Sequence, residues 1–209
     1  MTHFDSMTAW GPCTTLTPEP SVTPYPKLPP PRPEQVREAV QRVFGTALGD
    51  LGPFFVGDFN GDGAEDVAVT APPVGEQLVQ LNGELVNWTI QETRAKPPAS
   101  AGTPTPPVRV QVEPKDVLLG VLHGLGAQGW RTVDARQAYV LRYAGETHPT
   151  ETTSRDLRAL APPDLRLPRI NGDVLLAMGG AEPGFLYWTG AKYVWHPLPV
   201  AVKPSRAPG

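Results

Sequence analysis

Cysteine is nearly missing from this 209-residue chain. A lone Cys13 makes no internal disulfide and excludes a thiolate zinc cage. Charge is sparse as well: 19% of residues are Asp, Glu, Lys or Arg, and the formal net charge is −3. That balance supplies neither the basic field that nucleic acid attracts nor a strongly acidic tail. No apolar run is long enough to span a membrane. Met1 to Pro12 shows no basic segment followed by an apolar one, so no signal peptide is visible. G-x-S-x-G, H-E-x-x-H and phosphate-binding glycine loops are all missing, which removes the common local signatures of catalysis.

What the chain has in excess is proline and glycine, 27 and 21 residues. The prolines cluster, which points to linkers around a folded middle. Residues 1–32 form a Pro-rich leader, and proline recurs so often over 14–33 that an extended, semi-rigid spacer is expected there. Cys13 followed by "TTLTPEPSVTPYPKLPPPRP" is similar to the anchored cysteine and tether of a bacterial lipoprotein, but no apolar segment precedes it; an ordinary free thiol is the expectation. Residues 33–197 are expected to form one domain, with irregular insertions near 94–107 and 145–168 and a Pro-rich tail at 198–209. The domain opens on "PEQVREAVQRVFGTALG". There Val36, Ala39, Val40, Val43, Phe44, Ala47 and Leu48 recur at the spacing of one helical face. Pro33 suits the first turn, and Gly45 or Gly49 suits the end.

From Phe54 onward, short apolar runs broken by glycine, asparagine and proline predict strands and hairpins. A repeat underlies them. "DVAVTAPPVGEQLVQLNGELVNW" from Asp66 matches "DVLLAMGGAEPGFLYWTGAKYVW" from Asp173 at a gapless offset of 107 residues, and a weaker copy runs from Asp116. The unit is an Asp-Val strand, a loop, and a hairpin with glycine in its turn. Residues 78–90 fit either a helix, through Leu78, Leu81, Leu85 and Trp88, or a hairpin turning at Asn82-Gly83. The aromatic partner "LYWTGAKYVW" favours the hairpin.

Between two apolar runs lies "VGDFNGDGAEDVAV". Asp58, Asn60, Asp62 and Asp66 take positions 1, 3, 5 and 9 of a tight loop, Gly61 and Gly63 supply backbone freedom, and the Ala64 carbonyl falls at position 7. Alternating oxygens at this density suit a hard divalent cation, Ca2+ above all, which relieves the repulsion of three neighbouring carboxylates. The other reading of such a turn is a solvated hairpin held by Asx bonds. An EF-hand is excluded, because position 12 is Val69 and the loop sits between strands. "VGDFNGDGAEDVAVTAPP" resembles the calcium-binding unit of FG-GAP repeats, found in the β-propeller of integrin α-chains and in many bacterial surface and secreted proteins. The resemblance implies a mainly β fold, structural calcium and placement outside the cytoplasm. Asp116 and Asp173 lack complete acidic loops, and three units fall short of the roughly four to eight blades that close a propeller. An open sheet of antiparallel hairpin repeats, with an N-terminal amphipathic helix, is therefore expected.

The favoured function is a non-enzymatic, calcium-binding structural or binding module of an exported or cell-envelope protein, acting on a protein or glycan partner, with no nucleic acid and no transmembrane segment. Two other readings stay open. In "LHGLGAQGWRTVDAR", His123 with Asp134 forms a candidate acid–base pair for a hydrolase. In the 184–196 hairpin, Phe185, Tyr187, Trp188, Tyr193 and Trp195 offer rings that stack on sugars if exposed, or fill the core if not. A two-residue turn at Gly190-Ala191 places Trp188 opposite Tyr193 and Leu186 opposite Trp195. "NWT" at Asn87 fits a glycosylation acceptor but falls where a paired strand is expected.

Overall fold

A computed structural model describes residues 25–83, 85–94, 109–143, 151–153, 157, 165–177 and 182–199. Cys13 and most of the leader, the bulk of the 94–107 insertion, most of 145–168 and all but the start of the tail lie outside the described residues.

Helix α1 spans Pro33–Phe44. Pro33 opens it without losing a needed N–H, and Gln35 Oε1 accepts the Arg32 amide at 3.1 Å, satisfying an end group. Gly45 closes it at φ 59°. Its apolar stripe of Val36, Ala39, Val40 and Phe44 is buried, as the spacing predicts.

Two sheets follow. The first contains β1 (Phe54–Gly57), β2 (Asp66–Ala71), β3 (Trp88–Glu92), β4 (Val117–Leu122) and β5 (Ala138–Tyr143), in the order β1-β2-β4-β5-β3. The second contains β6 (Glu151–Thr153), β7 (Val174–Ala177), β8 (Gly184–Trp188) and β9 (Tyr193–Pro197), in sequence order. Neighbours are antiparallel except β3, which joins β5 in parallel. Among the described residues the fold is mostly β, with few helices and no closed barrel.

Alternation of side chains across the strands makes three apolar layers. Val67, Val69, Leu118, Leu122 and Val140 pack on one face of the first sheet against α1. Ala68, Leu119, Val121, Tyr139 and Leu141 point the other way and meet Leu175, Leu186, Trp188 and Tyr193 of the second sheet. Val174, Leu176 and Phe185 cover that sheet's far face, with Leu157 and Leu198. Strand β2 is buried along its whole length, which explains the apolar run Val67, Ala68 and Val69 at its centre. Gly120 permits Leu48, just beyond the helix, to approach closely, since a Cβ there would lie 2.9 Å from Leu48 Cδ1.

Two expectations need correction. Residues 78–90 are not a hairpin: a 3-10 turn at Gly75–Gln77 leads into a one-turn helix α2, Leu78–Leu81, and β3 begins at Trp88. Tertiary bonds outcompete the Asn-Gly turn. The Asn82 side chain clasps Val112 through Oδ1 at 2.8 Å and Nδ2 at 3.0 Å, and Arg109 donates to the carbonyls of Asn82 and Gly83. Leu81 is fully buried against the α1 layer, which a helical turn permits. Secondly, Glu151–Thr153, inside a stretch read as irregular, pairs with β7 as β6. The register of β8 and β9 is as the turn predicts, with Trp188 opposite Tyr193 and Leu186 opposite Trp195.

Candidate functional site

The acidic loop joins β1 to β2 and is bound from both sides by distant segments. Within it, side-chain oxygens take up the backbone amides that the turn leaves unpaired. Asp58 Oδ1 accepts from Gly61 N at 2.7 Å and Oδ2 from Gly63 N at 3.1 Å. Asn60 Oδ1 accepts from Asp62 N at 3.0 Å, and Asp62 Oδ1 from Ala64 N at 2.8 Å. Gly61 and Gly63 sit at φ 80° and 89°, in the left-handed region that a turn this tight requires.

Asp66, at the first position of β2, is completely enclosed. Its Oδ2 accepts from Phe59 N at 2.8 Å and Asn60 N at 3.3 Å, and its Oδ1 from Gly124 N at 2.6 Å. Burial pushes its carboxyl well above the usual range; the amides of Gly124 and Phe59 pull it down, and the charges of Asp62 and Asp58 add to the rise. No cationic side chain among the described residues pairs with it.

On one side, Gly124 and Gly129 let their loop approach until a Cβ on either would lie 2.2 or 2.5 Å from the Glu65 carbonyl. That carbonyl accepts from Trp130 N at 2.8 Å. The Glu65 carboxylate accepts from Trp130 Nε1 at 3.0 Å and pairs with Arg131. On the other side, Asp173 N donates to Asp58 O at 2.6 Å and Asp173 Oδ2 accepts from Asp58 N at 2.9 Å. A Cβ on Gly172 would fall 2.3 Å from Phe59 O. The loop is thus a joint where the first sheet meets the entry to β7 in the second.

Residues 54–83 match the FG-GAP repeat family. The matched stretch holds β1, the acidic loop, β2 and α2, and FG-GAP repeats form structural or binding modules in proteins that are typically extracellular or envelope-associated. No curated protein and no solved structure matched the chain. No helix among the described residues is long and apolar enough to cross a membrane.

Of the five ligands expected in the FG-GAP loop, the structure buries Ala64 and Asp66, half-buries Asp58 and Asn60, and exposes Asp62. Among the described residues, no three acidic, His or Cys side chains converge on one point. The donor set nevertheless fits a hard cation chemically: it is all oxygen, carboxylate oxygens that accept one N–H, unlike the doubly bonded Asp66 Oδ2, keep a second lone pair, and no cationic side chain among the described residues pairs with the buried Asp66 carboxyl. Sequence reading missed Glu65, Gly124, Gly129 and the Asp173 clamp. The glycine density of "LHGLGAQGW" and the repeat position of Asp173 were the available signals.

The structure does not bring His123 and Asp134 together. His123 is 1% exposed, with Nε2 2.7 Å from Tyr193 Oη and its ring against Tyr139, Trp188 and Tyr193. Burial lowers its pKa to about 4, offset only in part by Gln137, so it is neutral at pH 7. Asp134 lies on the surface, its amide bonded to Thr132 Oγ1. The aromatic hairpin is core rather than platform: Phe185, Trp188 and Tyr193 are buried, and the Arg94 guanidinium covers Trp195 at 4.4 Å.

Proposed function

We propose that the FG-GAP loop holds Ca2+ through Asp58, Asn60, Asp62, the Ala64 carbonyl and Asp66. The chain then works as a non-enzymatic structural or binding module, exported to the cell envelope or beyond. The observation that supports this best is the fully enclosed Asp66 carboxyl, raised by burial and by two neighbouring carboxylates, with no cationic side chain among the described residues to offset it. A divalent ion is the counter-charge that all-oxygen surroundings suit. The ion would supply charge compensation alone. The protein's own residues do the rest: Gly124 N and Phe59 N orient Asp66, and Asp173 holds Asp58, so a filled loop would brace the joint between the sheets.

The test is thermal unfolding of the full chain in calcium and in chelator, with titration calorimetry. Calcium raises Tm, and Asp62→Ala removes most of that rise. An identical Tm in both solutions, with no heat of binding, rejects the proposal.

A further inference from the structure

The segment that leads into α1 does not leave the molecule freely. Tyr25, Pro26, Lys27 and Leu28 run along a cleft of about 410 Å³ whose opposite wall is the acidic loop, at Asp58, Ala64 and Glu65, together with Asp173. One residue ties the two walls. Arg131 pairs through Nη1 with Glu65 Oε1 and donates through Nη2 to the Pro29 carbonyl at 2.9 Å. Its guanidinium lies 4.4 Å over the Trp130 ring, and Trp130 is itself fully buried and bonded to the same Glu65 oxygen. A planar fork held on an aromatic face is a rigid bridge, whereas an ammonium cannot serve both partners in that geometry.

Glu65 stands between Ala64 and Asp66, two of the groups assigned to the cation. Glu65 shares its backbone with those neighbours, and its carboxylate is linked through Arg131 to Pro29. We infer that Arg131 couples occupancy of the acidic loop to the docking of residues 25–32, so that cation binding clamps the base of the Pro-rich leader against the domain and cation loss frees it. This rests on the calcium reading above. Arg131 is a positioning residue in it, not a ligand. The strap is suited to such control: prolines leave few amides to bond elsewhere, and the Pro29 carbonyl is a contact that opens without disturbing the core.

Trypsin cleavage at the Lys27–Leu28 bond of the full chain, followed by mass spectrometry, tests the coupling, because cutting tracks the fraction of time the strap is undocked. Wild type is expected to be cut at least about fivefold more slowly in calcium than in chelator. Arg131→Lys should keep the calcium-dependent rise in Tm yet be cut at the chelator rate in both solutions, and Glu65→Gln should lie between. If calcium raises Tm but leaves cleavage at Lys27 unchanged in wild type, the coupling is wrong while the calcium proposal stands. Full protection of Arg131→Lys in calcium removes Arg131 from the path and overturns the inference. No calcium effect on Tm at all takes down both. Should Arg131→Lys fold poorly by circular dichroism, the wild-type and Glu65→Gln comparison decides.

Discussion

Asp66 and Asp116 occupy the same place in two copies of one repeat, each at the head of a buried strand, yet they meet different partners. Asp116, 8% exposed, forms an ion pair with Arg142 at 2.7 Å and caps the Glu113 amide at 2.7 Å. The pairing raises Arg142 above its ordinary value. Asp66 receives backbone amides only and has two further carboxylates nearby. The third copy, Asp173, is half-exposed and is spent on the Asp58 backbone rather than on a loop of its own. A buried carboxylate that owns a guanidinium needs nothing further, whereas one held by amides among like charges still lacks a counter-ion. The contrast between these positions, rather than the count of acidic residues, is what singles out the 58–66 loop.

Substitutions can break this contrast in order of expected size. Asp66→Ala strands three buried or half-buried amides, those of Phe59, Asn60 and Gly124, and should cost about 3–5 kcal/mol in urea unfolding. Gly124→Ala and Gly172→Ala attack the joint from its two sides, each driving a Cβ into a loop carbonyl. Each should cost about 2–3 kcal/mol by the same measurement.

The apolar side of the sheet interface is probed by acid. His123 has a folded pKa of about 4, below its unfolded value of 6.5, so the unfolded chain binds more protons between them. The contribution of His123 to stability is therefore whole above pH 6.5 and falls as pH drops towards 4, by up to about 3 kcal/mol. His123→Gln should flatten that limb of the pH–stability curve. The smallest effect is expected for Asp173→Ala in chelator, about 1 kcal/mol, since it frees one half-buried Asp58 amide. In the cation titration, the same change should raise the midpoint concentration only slightly if the ion already holds the loop.

Local chemistry made several elements legible in advance. The apolar stripe of α1 follows from Val36, Ala39, Val40 and Phe44 alone, and the β8–β9 register follows from a short turn at Gly190, φ 96°. Both are decided by residues within a few positions of one another. The Asn82-Gly83 turn fails for the opposite reason. Val112 and Arg109, roughly thirty residues onward, offer those polar groups better partners than a hairpin would. The parallel pairing of β3 with β5 and the presence of β6 share that character, because each depends on a strand far along the chain.

By itself the sequence determined the acidic spacing of the 58–66 loop, the helix before it and the Asp-Val heads of three strands, since those follow from steric and bonding preferences over one or two turns of chain. Only the tertiary structure decided what each aspartate meets: an amide 58 residues away for Asp66, a backbone 115 residues away for Asp173, and a guanidinium for Asp116. The charge state and binding capacity of a carboxyl depend on burial and on the field of its neighbours, and both come into being when the sheets close over it.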